Sequence, residues 1–197
     1  MRLTDDRYAS ERNQFELALR MISHEARTRT IRECTRLSDD RIRKLFDTYF
    51  RNSAGRSIRR HRGKSPRQVA RFVKNPVNQL QSTTLVALFC SGRLLSVDIN
   101  RRLKPRWPQP NVEYGHRVCR AFETYCLLHS DARLSFEWTW NLLQTISRND
   151  ELFMARCSKC SVAYVQDAYA LDHQECPSCE IARHSQRRTG AAALGRQ

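Results

Sequence analysis

The feature that most constrains this chain is the spacing of its last four cysteines. Cys157, Cys160, Cys176 and Cys179 read C-x2-C-x15-C-x2-C. Two residues between thiols let one tight turn aim both sulfurs at one ion. The 15 intervening residues are enough for a hairpin to bring the second pair back to it. The pattern predicts one structural Zn2+ ligated by Cys157, Cys160, Cys176 and Cys179. Four thiolates complete a tetrahedron and leave no position for a reactive water, so no catalysis is expected from the ion. Disulfides fit a reducing compartment poorly. A thioredoxin-type pair needs a βαβ setting that is absent here. His173 and Glu175 spell H-x-E, but they abut Cys176 and leave no room for the helix that a zinc deaminase places between its two halves.

The other four cysteines, Cys34, Cys90, Cys119 and Cys126, stand apart in apolar surroundings and read as small buried hydrophobes.

Charge gives the second constraint. The 197 residues carry 35 Lys+Arg against 20 Asp+Glu, a formal net charge of +15. The excess is clustered: nine basic residues and no acid lie between Arg51 and Lys74, and no acid follows Glu180. Arginine predominates, and its planar fork suits phosphate, so the balance points to a nucleic-acid partner. Neither cluster has the apolar face of an interfacial helix, and no apolar run is long enough for a bilayer, so no membrane association is expected. Residues 1–30 contain no apolar signal segment, and the reading is a cytoplasmic protein.

Periodicity makes the chain mainly α. A helix is expected from Ser10 with Phe15, Leu19, Ile22 and Ala26 inward. Next, Ile31, Cys34 and Leu37 close one helix and its turn. Ser38 caps another helix, with Asp39 and Asp40 in its first turn and Ile42, Leu45 and Phe46 inward. The pair is helix-turn-helix-like, though without the usual turn glycine, and would carry Arg41, Arg43 and Lys44 on its second helix. Arg51–Pro66 reads as a basic loop. Further helices are expected over about 79–93, over 112–128 with Tyr114, Val118, Ala121, Phe122 and Tyr125 on one side, and over 136–146 with Phe136, Trp140, Leu143 and Ile146 inward. The prolines of Lys104–Pro110 break structure, and Val162, Tyr164, Val165 and Tyr169 suggest a hairpin between the cysteine pairs. The expected fold is thus helical, with a helix-turn-helix-like N-terminal region and a C-terminal four-cysteine zinc-binding module. Its divisions are 1–50 (N-terminal helices), 51–78 (basic linker), 79–152 (helical core), 153–182 (zinc module) and 183–197 (basic tail). No catalytic constellation is recognisable, and an enzyme is not expected.

Three blocks together resemble the FlhC subunit family of bacterial flagellar transcription activators. They are Leu17–Phe46 (LALRMISHEARTRTIRECTRLSDDRIRKLF), Glu137–Leu152 (EWTWNLLQTISRNDEL), and the paired cysteines with their basic tail. The resemblance spans most of Phe15–Arg188. It implies an α-rich subunit that assembles with an FlhD-type partner into a hetero-oligomer, binds double-stranded DNA at flagellar operon promoters and recruits RNA polymerase. Under it, the zinc ligands are the same four cysteines. The DNA-contact candidates are Arg41, Arg43, Lys44, Arg59, Arg60, Arg62, Lys64, Arg187 and Arg188. Ser161 stands where the family commonly has glycine, and Arg62-Gly63-Lys64-Ser65-Pro66 replaces its Pro-Lys-Gly linker. A zinc-ribbon RNA-binding or ribosome-associated protein is the alternative that composition and cysteines alone would allow.

Overall fold

The computed structural model describes residues 3–51, 58–61, 68–99, 102–148, 151–170 and 175–194; side chains at 3–6 and 186–194 fall outside the description. Among the described residues there are eight helices and four short strands: α1 (Leu3–Ser23), α2 (Thr28–Thr35), α3 (Asp39–Tyr49), α4 (Ala70–Val73), α5 (Pro76–Ser91), β1 (Leu95–Val97), β2 (Leu103–Pro105), α6 (Val112–Leu128), α7 (Phe136–Arg148), β3 (Leu152–Arg156), β4 (Ala163–Asp167) and α8 (Pro177–Leu194). The chain is mainly helical, as its periodicity predicts, with about 60% of it in helix.

Local chemistry sets the helix starts. Ser38 takes an extended backbone and its Oγ accepts from the Arg41 N–H at 3.3 Å, which caps α3. Asn111 caps α6 the same way through Tyr114, at 2.8 Å. Asn75 accepts from the Asn78 N–H at 2.9 Å, with Pro76 at the first helical position, so α5 begins three residues before the periodic signal. The α2–α3 turn closes without glycine because Arg36 itself adopts the left-handed conformation, φ 61°.

α5 and α6 form the middle of the molecule. α6 packs against α1, α2, α5 and α7, while α5 meets α4, α6, α7, α8, β1 and β4. One hydrophobic core runs from Leu17 through Phe89, Tyr125 and Trp140 to Val165. Gly115 lets α6 approach α1 closely: a Cβ there would sit 2.5 Å from Leu17 Cδ2 and 3.2 Å from Cys34 Cβ. Tyr114, Val118, Ala121 and Tyr125 are buried on α6, and Phe136, Trp140, Leu143 and Ile146 on α7, as the helical spacing predicts. Cys34 and Cys119 are buried as expected, but Cys90 is only half-buried and Cys126 is exposed. It follows Tyr125 by one residue, about 100° around the helix from the packed face.

Several polar groups inside this core are matched by specific partners. The Tyr125 hydroxyl donates to Gln81 Oε1 and accepts from the Arg133 and Leu134 N–H groups, each at 3.1 Å. Glu137, 4% exposed, accepts from the Arg27 N–H at 2.7 Å and ties α7 to the α1–α2 junction. Glu123 on α6 takes the Arg20 guanidinium through both oxygens and His24 Nε2 at 2.7 Å.

Arg20, assisted by His24, holds the Glu123 carboxyl below its ordinary value of 4.5 against the opposing effect of burial. A carboxyl lowered on folding adds stability that is complete above its unfolded value and is lost as pH falls through its folded one. Glu123→Gln is therefore expected to lower the melting temperature at pH 7, with the gap from wild type closing below about pH 4.5. A gap that persists unchanged into acid would mean that packing, not charge, carries the interaction.

Candidate metal centre and basic surface

β3 and β4 pair antiparallel from Leu152–Asp167 to Arg156–Ala163, so the first cysteine pair sits in the turn of this hairpin. The hairpin thus spans the first pair instead of lying between the two. The apolar run Leu152–Ala155 supplies the first strand, and Tyr169 is 80% exposed beyond the second. The hairpin is mounted on α5: Gln79 Nε2 donates to the Val165 carbonyl (2.9 Å) and to Gln166 Oε1 (2.8 Å), and Thr83 Oγ1 accepts from the Val165 N–H (3.1 Å). Leu152 and Val165 belong to the main core, while Ala155, Cys157, Tyr164 and Cys176 form a small second one.

Cys176 immediately precedes α8 and Cys179 lies in its first turn. The four Sγ atoms all lie within 4.8 Å of one another. Cys157 and Cys179 sulfurs are 3.8 Å apart, and those of Cys160 and Cys176 3.5 Å. Zinc–thiolate bonds of about 2.3 Å in a tetrahedron put sulfurs about 3.8 Å apart, so the residues present fit one zinc-sized ion. All four cysteines of the sequence motif are brought together and can hold a metal ion such as zinc.

Backbone groups prepare the site for negative charge. The Cys176 N–H donates to Cys157 Sγ at 3.2 Å and the Cys179 N–H to Cys176 Sγ at 3.4 Å. N–H donation from Cys160 and Cys176 pushes the Cys157 thiol down to about 6. Cys179 is pushed up to about 12 by hydrogen bonding with the Cys160 and Cys176 sulfurs, and burial raises Cys176. Without a cation the sulfurs compete for protons; a bound divalent ion displaces those protons. Glu175 joins the two halves from outside, with Lys159 Nζ at 2.9 Å and Arg183 Nε at 3.5 Å. In the sequence Glu175 stands out only as part of H-x-E; its charge-matched neighbours, Lys159 in one knuckle and Arg183 in the second turn of α8, are the available signal. His173 lies outside the described residues.

Ser161 closes the first knuckle with φ 60°, its N–H bonded to the Cys157 carbonyl at 3.0 Å. A left-handed conformation costs a non-glycine residue about 1–2 kcal/mol, partly offset by the backbone entropy that glycine loses on folding. Ser161→Gly is expected to stabilise the metal-bound protein by about 0.5–1 kcal/mol, and Ser161→Val to destabilise it by about 1 kcal/mol or more, read by thermal unfolding. Equal melting temperatures in all three would contradict that strain.

The basic candidates divide into groups. On α3, Arg43 Nη1 pairs with Asp40 at 2.9 Å, Arg41 lies over the Phe15 ring at 5.2 Å, and Lys44 is exposed with no ion pair among the described residues. Residues 58–61 fold back onto this helix pair. Ile58 packs on the core, the Arg59 N–H and His61 Nε2 bind Glu25 (3.2 and 3.0 Å), and the Arg60 guanidinium sits 5.7 Å from the Phe46 ring centre on α3. Arg59 and Arg60 thus join the α3 surface. Arg62 and Lys64 lie outside the described residues. Arg187 and Arg188 are on α8, and their side chains lie outside the description. Residues 183–194, read from sequence as a tail, continue the helix that Cys179 begins.

Together these features define a class: a mainly helical protein with a four-cysteine site able to hold a metal ion and exposed arginines around a helix pair. Among the described residues, no helix is long and apolar enough to cross a membrane. No protein-family model matches the chain, and no curated protein is significantly similar to it.

Proposed function

We propose that this chain is a DNA-binding transcriptional activator subunit of the FlhC type, stabilised by one structural zinc ion. It acts in the cytoplasm with an FlhD-type partner and RNA polymerase at flagellar operon promoters. The observation that carries the reading is the shared helix: Cys179 and the basic residues Arg183, Arg187 and Arg188 all lie on α8. An ion held by the four sulfurs would fix the start of that helix and hence the course of its backbone. The net charge of +15 and the packing of Arg60 against α3 support the same reading. Arginines would neutralise phosphates and release counterions, supplying most of the affinity, while a few side chains from α3 would read bases. A complete tetrathiolate leaves the ion no chemical role beyond structure.

The test is binding of the purified chain, alone and with the host's FlhD-type protein, to a flagellar promoter duplex at physiological salt. Scrambled duplex and structured RNA serve as competitors. Preference for the promoter by a factor of about 10^3 or more is expected. Equal binding to RNA and to scrambled duplex would instead favour the ribosome- or RNA-associated alternative.

A further inference from the structure

The C-terminal end of α5 and the outer side of α6 border an open cleft of about 240 Å3 lined by Ser91, Gly92, Arg93, Arg117, Arg120 and Thr124, with no carboxylate in its wall. Helix C-termini attract cations, which accounts for one of the three arginines. Arg117 donates to the Gly92 carbonyl at 2.9 Å and to Glu113 at 2.8 Å, and stacks 5.6 Å over Trp107. The Leu88, Phe89 and Cys90 carbonyls at this end of α5 are met by the N–H groups of Gly92, Leu94 and Arg93. The guanidinium groups of Arg93 and Arg120 are therefore not needed for capping. Both residues are exposed, and neither has an ion pair among the described residues.

The backbone of Arg93 is fixed from two sides. Its N–H binds the Cys90 carbonyl at 3.1 Å, and its carbonyl accepts the Trp107 indole N–H at 2.9 Å, with φ held at 57°. Arginines outnumber acids nearby: Arg106 is bonded through its N–H to Leu94 beside the cleft, and burial, Arg20 and Arg120 push His116 below its ordinary value against the opposing pull of Glu113 and Glu16. A short run of contacts joins the cleft to the α2–α3 turn. Arg36 Nη2 reaches the Pro110 carbonyl (3.4 Å), three residues after Trp107. Glu113 offsets Arg117, but the charges of Arg93 and Arg120 crowd a cleft whose wall holds no carboxylate, at a cost in repulsion that a bound anion would relieve.

We propose that this cleft binds the phosphodiester backbone of duplex DNA, with Arg93 and Arg120 gripping phosphate and Arg117 forming the rigid wall behind them. The inference rests on the DNA-binding reading above and extends it to residues outside the α3 and α8 candidates.

The experiment measures affinity for a 20-base-pair duplex against salt concentration, using the full metal-bound chain. It compares wild type, Arg93→Gln/Arg120→Gln, the single variant Arg120→Gln, and a charge-matched control, Arg7→Gln/Arg12→Gln, on the exposed face of α1. Each lost phosphate contact lowers the slope of log K against log salt by about 0.9, so the double variant should lose about 2 and the single about half that. Between 50 and 200 mM salt the double variant should then lose about tenfold less affinity than wild type does. The control should keep the wild-type slope. Variants that melt as wild type but keep the wild-type slope, or a control that falls equally, would overturn the proposal while leaving the DNA-binding reading intact. A wild-type chain that binds no duplex at all would overturn both.

Discussion

Cys157→Ser is expected to abolish tight metal binding and to loosen the first knuckle and the start of α8, leaving the helical body and the β3–β4 strands folded. In zinc-finger peptides, structural sites of this kind contribute apparent binding energies of roughly 10–16 kcal/mol, a large reserve for a short segment. Cys157 is the buried ligand that accepts the Cys176 N–H, so its loss removes both a metal bond and the contact joining the two cysteine pairs. The damage should stop at the hairpin, because Leu152 and Val165 lie in the main core and Gln79 and Thr83 hold β4 from α5. Limited proteolysis should cut the variant around the two cysteine pairs while sparing α1–α7 and the β3–β4 strands, and chelation of the wild type should give the same pattern. Duplex affinity should fall with it, since Arg183, Arg187 and Arg188 would no longer share an ordered helix with the metal site. Unchanged protease resistance and metal content would remove the physical basis for the centre.

Gly115→Ala should give the second large effect, at the opposite level of the structure. Alanine is the better helix former by about 1 kcal/mol, so an open position would be stabilised. Here the new methyl would fall 2.5 Å from Leu17 Cδ2, and Leu17 is fully buried between α1 and α6. Overpacking of a closed core typically costs about 1–3 kcal/mol, which should outweigh the propensity gain. For a chain of this length each kcal/mol moves the midpoint by about 2–4 °C, so the melting temperature should drop by several degrees. Leu17→Val in the Gly115→Ala background should restore part of the loss, a non-additive result that marks direct contact. A stabilised Gly115→Ala protein would mean that α6 and α1 are not packed this closely.

The parts of the molecule legible in its sequence are those governed by short-range rules. The Ser38 cap, the inward faces of α6 and α7, and the clustering of Cys157, Cys160, Cys176 and Cys179 all follow from spacing and side-chain chemistry within a few residues. The parts that escaped depend on partners far along the chain. Gln79 and Gln81 look like surface residues by type, yet both are buried because β4 and the Arg133–Leu134 turn supply their hydrogen bonds. The β1–β2 hairpin was hidden because Pro105 ends β2 and Lys104 is charged, features that deplete strands generally but suit an exposed two-stranded edge. The α2–α3 turn lacks the glycine that marks such turns in sequence, because Arg36 adopts the left-handed backbone and binds Pro110.

Four sulfurs gripping one metal ion would order the start of α8. X-ray absorption at the metal edge of the purified protein, with metal content measured on the same sample, tests it most directly. One zinc per chain is expected, with four sulfur neighbours at about 2.3 Å and no nitrogen or oxygen ligand. A protein that purifies without a tightly bound ion, or whose ion shows fewer than four sulfurs, would contradict it.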